Sequence, residues 1–260
     1  MFALSLLVLA IELPQVSSAA GLDVPKDARA HVTVTETGIT FSGRGSKKQV
    51  PVTTLQAWKP GAKDGEGPEL TTLGAAFDAA KREREDDRFF SSEIDGWAEL
   101  SIDRRAPMAL VTRVLSTVGS RAGSLGLVVA TPEGERVVRY FFPLSDAAPS
   151  DDFIVGVEAT QVQLVRPGAP AKPSPRTADA VRAAVASFVK KGAKGRRALM
   201  PTPMGTNCLS AKLENLPPDQ CWHPRVIVVA SPEANLTWGD LLPLAAAAHE
   251  SVPDVIFGSL

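Results

Sequence analysis

The residues best suited to chemistry in this chain are a strand-end acid, three histidines and two cysteines. Asp103 follows Leu100-Ser101-Ile102 and precedes Arg104, Arg105 and a helix predicted from residue 107. The carboxyl end of a parallel strand is where α/β sheets usually hold a ligand. A short acid there can also simply close a turn. Asp103, Arg104 and Arg105 are therefore the candidate ligand- or partner-binding residues, and Glu233 holds a loosely similar place further on. His31 opens a predicted strand, and His249 lies near a predicted helix end, where a charged imidazole is favoured. His-Glu-x-x-His, Gly-x-Ser-x-Gly and Walker-type patterns are all missing from the sequence. Asp103 and Glu233 have no neighbouring base in sequence, so no catalytic residue is assigned, no cofactor is expected, and the chain reads as a non-enzyme. The enzymatic alternative is a hydrolase whose site assembles from the scattered Asp103, Glu233 and His249.

Cys208 and Cys221 lie in a stretch rich in Pro, Gly and Asn. They could close a short loop as a disulfide, contributing about 3 kcal/mol in the entropic account, or stay free thiols. A metal site would add His223, but the spacing lacks the close Cys pair of a structural zinc site. Gly43-Arg44-Gly45-Ser46-Lys47-Lys48 has the composition of an anion loop, yet it opens no predicted helix and reads as a surface turn. Lys190, Lys191, Lys194, Arg196 and Arg197 read as a solvated helix end and loop. The net charge is -1 and the pI about 6.3, which argues against a broad nucleic-acid surface. Trp58, Trp97, Trp222 and Trp238 read as core or loop anchors.

The elements that must position these residues form an internal repeat. HVTVTETGITFSGRG, from His31, and IVGVEATQVQLVRPGA, from Ile154, each show two alternating apolar runs around a polar turn. Alternation predicts strands, and each pair predicts a hairpin. After the first hairpin and a loop over residues 59–68, Leu70, Leu73, Phe77 and Ala80 form a helical stripe. After the second hairpin and a Pro-rich loop over residues 167–175, Val181, Val185, Phe188 and Val189 do the same, with Ser174-Pro175 as predicted cap and first helical residue. Strand, helix and strand follow over residues 97–102, 107–118 and 125–130, and again over 225–230, 237–249 and 254–258. Thr237 and Asp240 have capping-box spacing, and Pro243 predicts a kink. Residues 137–142 predict one more strand, free to extend either sheet or join the two. The fold class is α/β (α+β): two similar small units, each hairpin–helix–strand–helix–strand, with a mixed sheet covered by helices. The divisions are a leading segment 1–21, a first unit 22–135, a connection 136–152 and a second unit 153–260.

Residues 2–11 are apolar except for Ser5, and small residues follow at 17–21. The run is about half the ~20 residues of a spanning helix. It suits the core of a signal peptide, with Ser18-Ala19-Ala20 before a cleavage point, although no Lys or Arg precedes it. It reads as an atypical signal peptide, as part of a membrane helix, or as a buried element. The first two place the remaining chain outside the cytoplasm.

Several of these short motifs resemble the ExbD/TolR family. They are Ile11-Glu12-Leu13-Pro14; Val32-Thr33-Val34 with Gly38-Ile39-Thr40-Phe41; Leu100 to Pro107 running on to Val111, Val114 and Leu115; and Ala122-Gly123 before Leu125-Gly126-Leu127-Val128. The resemblance covers residues 11–130 and, more faintly, 153–260. It implies a periplasmic component of a proton-driven biopolymer transport complex that acts by protein–protein contact. The implied partners are an ExbB/TolQ-like membrane protein, a TonB/TolA-like protein and cell-wall peptidoglycan. The family's proton-carrying Asp has no counterpart in residues 1–11, and the tandem copy suggests an intrachain pseudo-dimer or a homodimer. The alternative function is a secreted binding module for peptidoglycan or a small ligand.

Overall fold

The computed structural model describes residues 11–17, 30–43, 53–57, 70–85, 97–122, 124–139, 152–192, 197–198, 221–222, 224–231, 234–252 and 254–259. In the first unit, β1 (Ala30–Val34) and β2 (Gly38–Gly43) pair antiparallel. The turn between them is held by Thr35, whose hydroxyl accepts from the Gly38 N–H at 3.1 Å. Every second side chain points inward, so Val32, Val34, Ile39 and Phe41 are buried. β3 (Thr53–Ala57) extends the hairpin. The helix α1 (Thr71–Glu85) then buries Leu73 and Phe77, and the Phe77 ring lies 4.8 Å from that of Phe41. β4 (Trp97–Ile102), α2 (Met108–Gly119) and β5 (Ser124–Thr131) form a parallel crossover, with β4 paired to β1. The sheet order is β3-β2-β1-β4-β5-β6.

The predicted extra strand is β6 (Gly134–Arg139), which folds back antiparallel on β5 through Gly134 at φ 114°. Residues 136–139, read from sequence as connection, therefore belong to the first sheet.

The second unit repeats the plan. β7 (Asp152–Val157), β8 (Gln161–Val165) and β9 (Lys172–Pro175) are antiparallel neighbours. α3 (Ala178–Gly192) buries Val181, Val185 and Phe188, as the helical stripe predicted. The two-residue strands β10 (Arg197–Ala198) and β11 (Cys221–Trp222) pair with each other. β12 (Arg225–Ala230), α4 (Trp238–His249) and β13 (Asp254–Ser259) complete the order β9-β8-β7-β12-β13. Arg225 clasps Asp152 across the β12–β7 pair at 2.8 and 2.7 Å.

Two local expectations are corrected. Residues 172–175 are a strand, not loop, because an edge strand tolerates proline. Ser174 is consequently extended opposite Val162 and starts no helix. The cap is Thr177, whose hydroxyl accepts from the Ala180 N–H at 3.2 Å. At α4 the Asp240 carboxylate accepts from the Thr237 N–H and hydroxyl, both at 2.9 Å, as the spacing predicted. α4 runs unbroken through Pro243. No helix among the described residues is long and apolar enough to cross a membrane.

Candidate functional site

Asp103 leaves β4 at the sheet's carboxyl end, and its own N–H donates to Val34 O at 2.8 Å. Its carboxylate then shapes the turn. Oδ1 accepts from the Arg105 N–H at 2.9 Å, and Oδ2 from the Glu12 N–H at 3.3 Å. The Arg105 guanidinium grips both oxygens at 3.1 Å. Asp103 is 2% exposed. Burial works to raise its pKa, but the bonds from Arg105 and Glu12 outweigh it and hold the carboxyl below its ordinary value. Arg105 also pairs with Glu36 at 2.9 Å, and Arg104 with Glu12 at 2.9 Å. The predicted trio is thus gathered at one point, together with Glu12 and Glu36.

The next residues explain why this point matters. Pro107 is the N-cap of α2 and offers no side-chain cap, so the first N–H groups of the helix must find acceptors elsewhere. Met108 N–H donates to Leu236 O at 2.9 Å. Trp238 N–H, first in α4, donates to Ala106 O at 2.9 Å. Ala106 and Leu236 each stand two residues before the first residue of their own helix, so the bonds are reciprocal. The two units meet through equivalent loops, related by a local pseudo-two-fold. Gly239 N–H adds a bond to Arg104 O at 2.7 Å. A Cβ at Gly239 would meet that oxygen at 2.9 Å, so the approach needs glycine. Trp238 is buried beside it, its ring 5.2 Å from Phe257.

Residues 11–17 run along the same seam. Arg104 N–H donates to Glu12 O at 2.7 Å, Ala130 N–H to Pro14 O at 3.1 Å, and Val16 N–H to Ala130 O at 3.0 Å. Val16 is buried. Ser17 then reaches the second unit, donating to Glu250 at 3.1 Å. Glu250 is clasped by Arg182 at 2.6 and 2.9 Å. The Arg182 and Ser17 hydrogen bonds lower the Glu250 pKa, against burial. Arg182 also pairs with Asp179.

His31 pairs with Glu99 at 3.4 Å across β1 and β4. Lys190 and Lys191 occupy the last turn of α3. His249 ends α4, about 16 Å of helix from the Trp238 end beside Asp103. Glu233, His223, Cys208, Trp58 and residues 44–48 lie outside the described residues, so the dispersed site and the cysteine pairing stay expectations. Among the described residues no group of three or more His, Cys, Asp or Glu could hold a metal. The sequence reading missed the seam, including Glu12, Ser17, Arg182 and Glu250. Its one local trace is Pro107, a helix start without a cap of its own.

No family model matches the chain, and no curated protein matches it. Similar solved structures include the ethanolamine utilization protein EutJ from Carboxydothermus hydrogenoformans, with 12% identity, TM-score 0.20, and coverage of 91% of this chain and 86% of that one. A Ppx/GppA family member from Aquifex aeolicus shows 11% identity, TM-score 0.19, and coverage of 78% and 65%. A Bacteroides thetaiotaomicron protein with an actin-like ATPase fold shows 8% identity, TM-score 0.20, and coverage of 90% and 91%. That no family model matches overturns the ExbD/TolR resemblance, and with it the biopolymer-transport function and family keywords that it implied. The motifs that carried it are short strand ends and turns, which unrelated α/β sheets also need.

Proposed function

We propose that the protein is a non-catalytic binding module of two fused α/β units, working outside the cytoplasm. The observation that carries this reading is the reciprocal pairing of Met108 with Leu236 and of Trp238 with Ala106. Helix N-termini at strand ends are the usual anion site of an α/β sheet, because their N–H groups are free to bind. Here the first N–H of each helix is taken by the other unit. Asp103 is held ionised by three donor groups and is a poor general acid near neutral pH. The apolar run of residues 2–11 supports placement across a membrane.

Turnover assays test the catalytic part. The purified chain is incubated with ATP and magnesium, and separately with a phosphomonoester and a simple ester. The expected result is no release above buffer. Release that Asp103→Asn abolishes would overturn the reading. Fusion to a reporter active only after export tests the location.

A further inference from the structure

The β4–β5 ladder ends with Ser101 opposite Val128, where β4 leaves the side of β5 and the chain turns at Asp103. Residues 14–16 take up the lane that β4 vacates. Ala130 N–H donates to Pro14 O, and Val16 N–H donates to Ala130 O, so Gln15 pairs with Ala130 in the parallel sense, as β4 does with β5. β6 holds the other side of β5, with Glu135 opposite Ala130. The side chains alternate as on a strand: Pro14 and Val16 are buried, and Gln15 between them is exposed. At the front of the segment, Glu12 N–H donates to Asp103 Oδ2, and Glu12 O accepts from the Arg104 N–H. The Glu12 carboxylate meets the Arg104 guanidinium at 2.9 Å, and both side chains are half-exposed.

This is the geometry by which a sheet binds an extended peptide. Main-chain bonds supply the affinity, and alternate side chains set into the surface supply the specificity. Such bonds are blind to which chain provides the segment. Proline fits the groove because its position uses a carbonyl and no N–H donor. Arg104 at the rim reads an acid two residues earlier.

We propose that the ends of β4 and β5 form a peptide-binding groove with residues 11–17 as its resident occupant. A partner protein enters by displacing them with an extended segment of the same chemistry: an acidic residue, a proline two positions on, and a β-branched apolar residue two positions after that. The proposal rests on the binding-module reading and gives it a ligand class. Tethering sets the threshold, since an occupant in the same chain competes at high effective concentration.

The probe is a fluorescent synthetic peptide with the sequence of residues 11–17, Ile-Glu-Leu-Pro-Gln-Val-Ser, titrated into the full chain and followed by anisotropy. Val16→Asp sets a charge in a buried position and loosens the chain's own segment. That chain is expected to bind the peptide at least about tenfold tighter than the unmodified one, because the tethered competitor is gone. Adding Arg104→Glu should weaken binding by about tenfold or more, and a peptide carrying Glu12→Lys should restore it. A folded Val16→Asp chain that does not bind overturns the proposal, as does binding indifferent to Arg104→Glu. If Val16→Asp misfolds, amide hydrogen exchange on the unmodified chain decides. The Arg104 and Ala130 amides, which donate to the segment, must exchange faster than the Leu100 amide inside β4, and equal protection overturns the proposal. These outcomes strike the groove alone, whereas turnover in the assays above strikes the module reading.

Discussion

Asp103 accepts hydrogen bonds from two backbone N–H groups and a guanidinium, so its removal strands more than its own charge. Arg105 is half-exposed, and water screens that pair. The larger loss comes from the Arg105 and Glu12 N–H groups left without their acceptor. Asp103→Ala is expected to cost roughly 2 kcal/mol in chemical denaturation at neutral pH. The folded-state pKa is depressed. The contribution is therefore complete above the unfolded value near 4 and is lost as pH falls through the lower folded value. The gap between wild type and variant should narrow below that range, leaving the part that the neutral carboxyl still supplies as an acceptor. A difference that persists unchanged at pH 2 would show that the carboxylate charge is not what Asp103 supplies.

The element that ties the units is the segment 11–17. Cleavage after Ser18-Ala19-Ala20 would remove all of it, including buried Pro14 and Val16. Burying a valine stabilises by roughly 2 kcal/mol, and the Glu12 and Ser17 contacts go with it. The mature protein is therefore expected to begin upstream of Glu12, as intact-mass measurement of material from the native host would show. A chain starting at Gly21 would refute this. The same scale shows what could be read in advance. The strands at residues 97–102 and 225–230 and the helical stripes of α1 and α3 follow from periodicity, because burial on one face imposes it on the sequence. β9 stayed hidden because Pro173 and Pro175 look like loop, and only its place at an edge makes them tolerable. The site was half legible. Asp103, Arg104 and Arg105 stood out as a strand-end cluster. Their partners Glu12, Leu236 and Gly239 did not, since contacts by backbone groups across 91 residues or more leave no mark on side-chain type.

At the scale of the whole molecule, the equivalent loops of the two copies hold each other, and one hydrophobic core runs through both units. Independent units would melt separately. Units that complete each other's helix starts should melt together, so calorimetry is expected to show a single transition. Gly239 is where this can be broken with least damage elsewhere. A side chain there meets Arg104 O at 2.9 Å and Arg104 Cβ at 3.0 Å, and both belong to the opposing loop. Gly239→Val must therefore push the loops apart, lengthening the bond from Gly239 N–H and those beside it. Overpacking of this kind costs about 1–3 kcal/mol. Because the strain falls on the seam, the expected signature is more than a lower midpoint: the single transition should broaden or split in two. A variant that melts at a lower temperature but still in one sharp step would mean the common core, not the paired loops, makes the molecule cooperative.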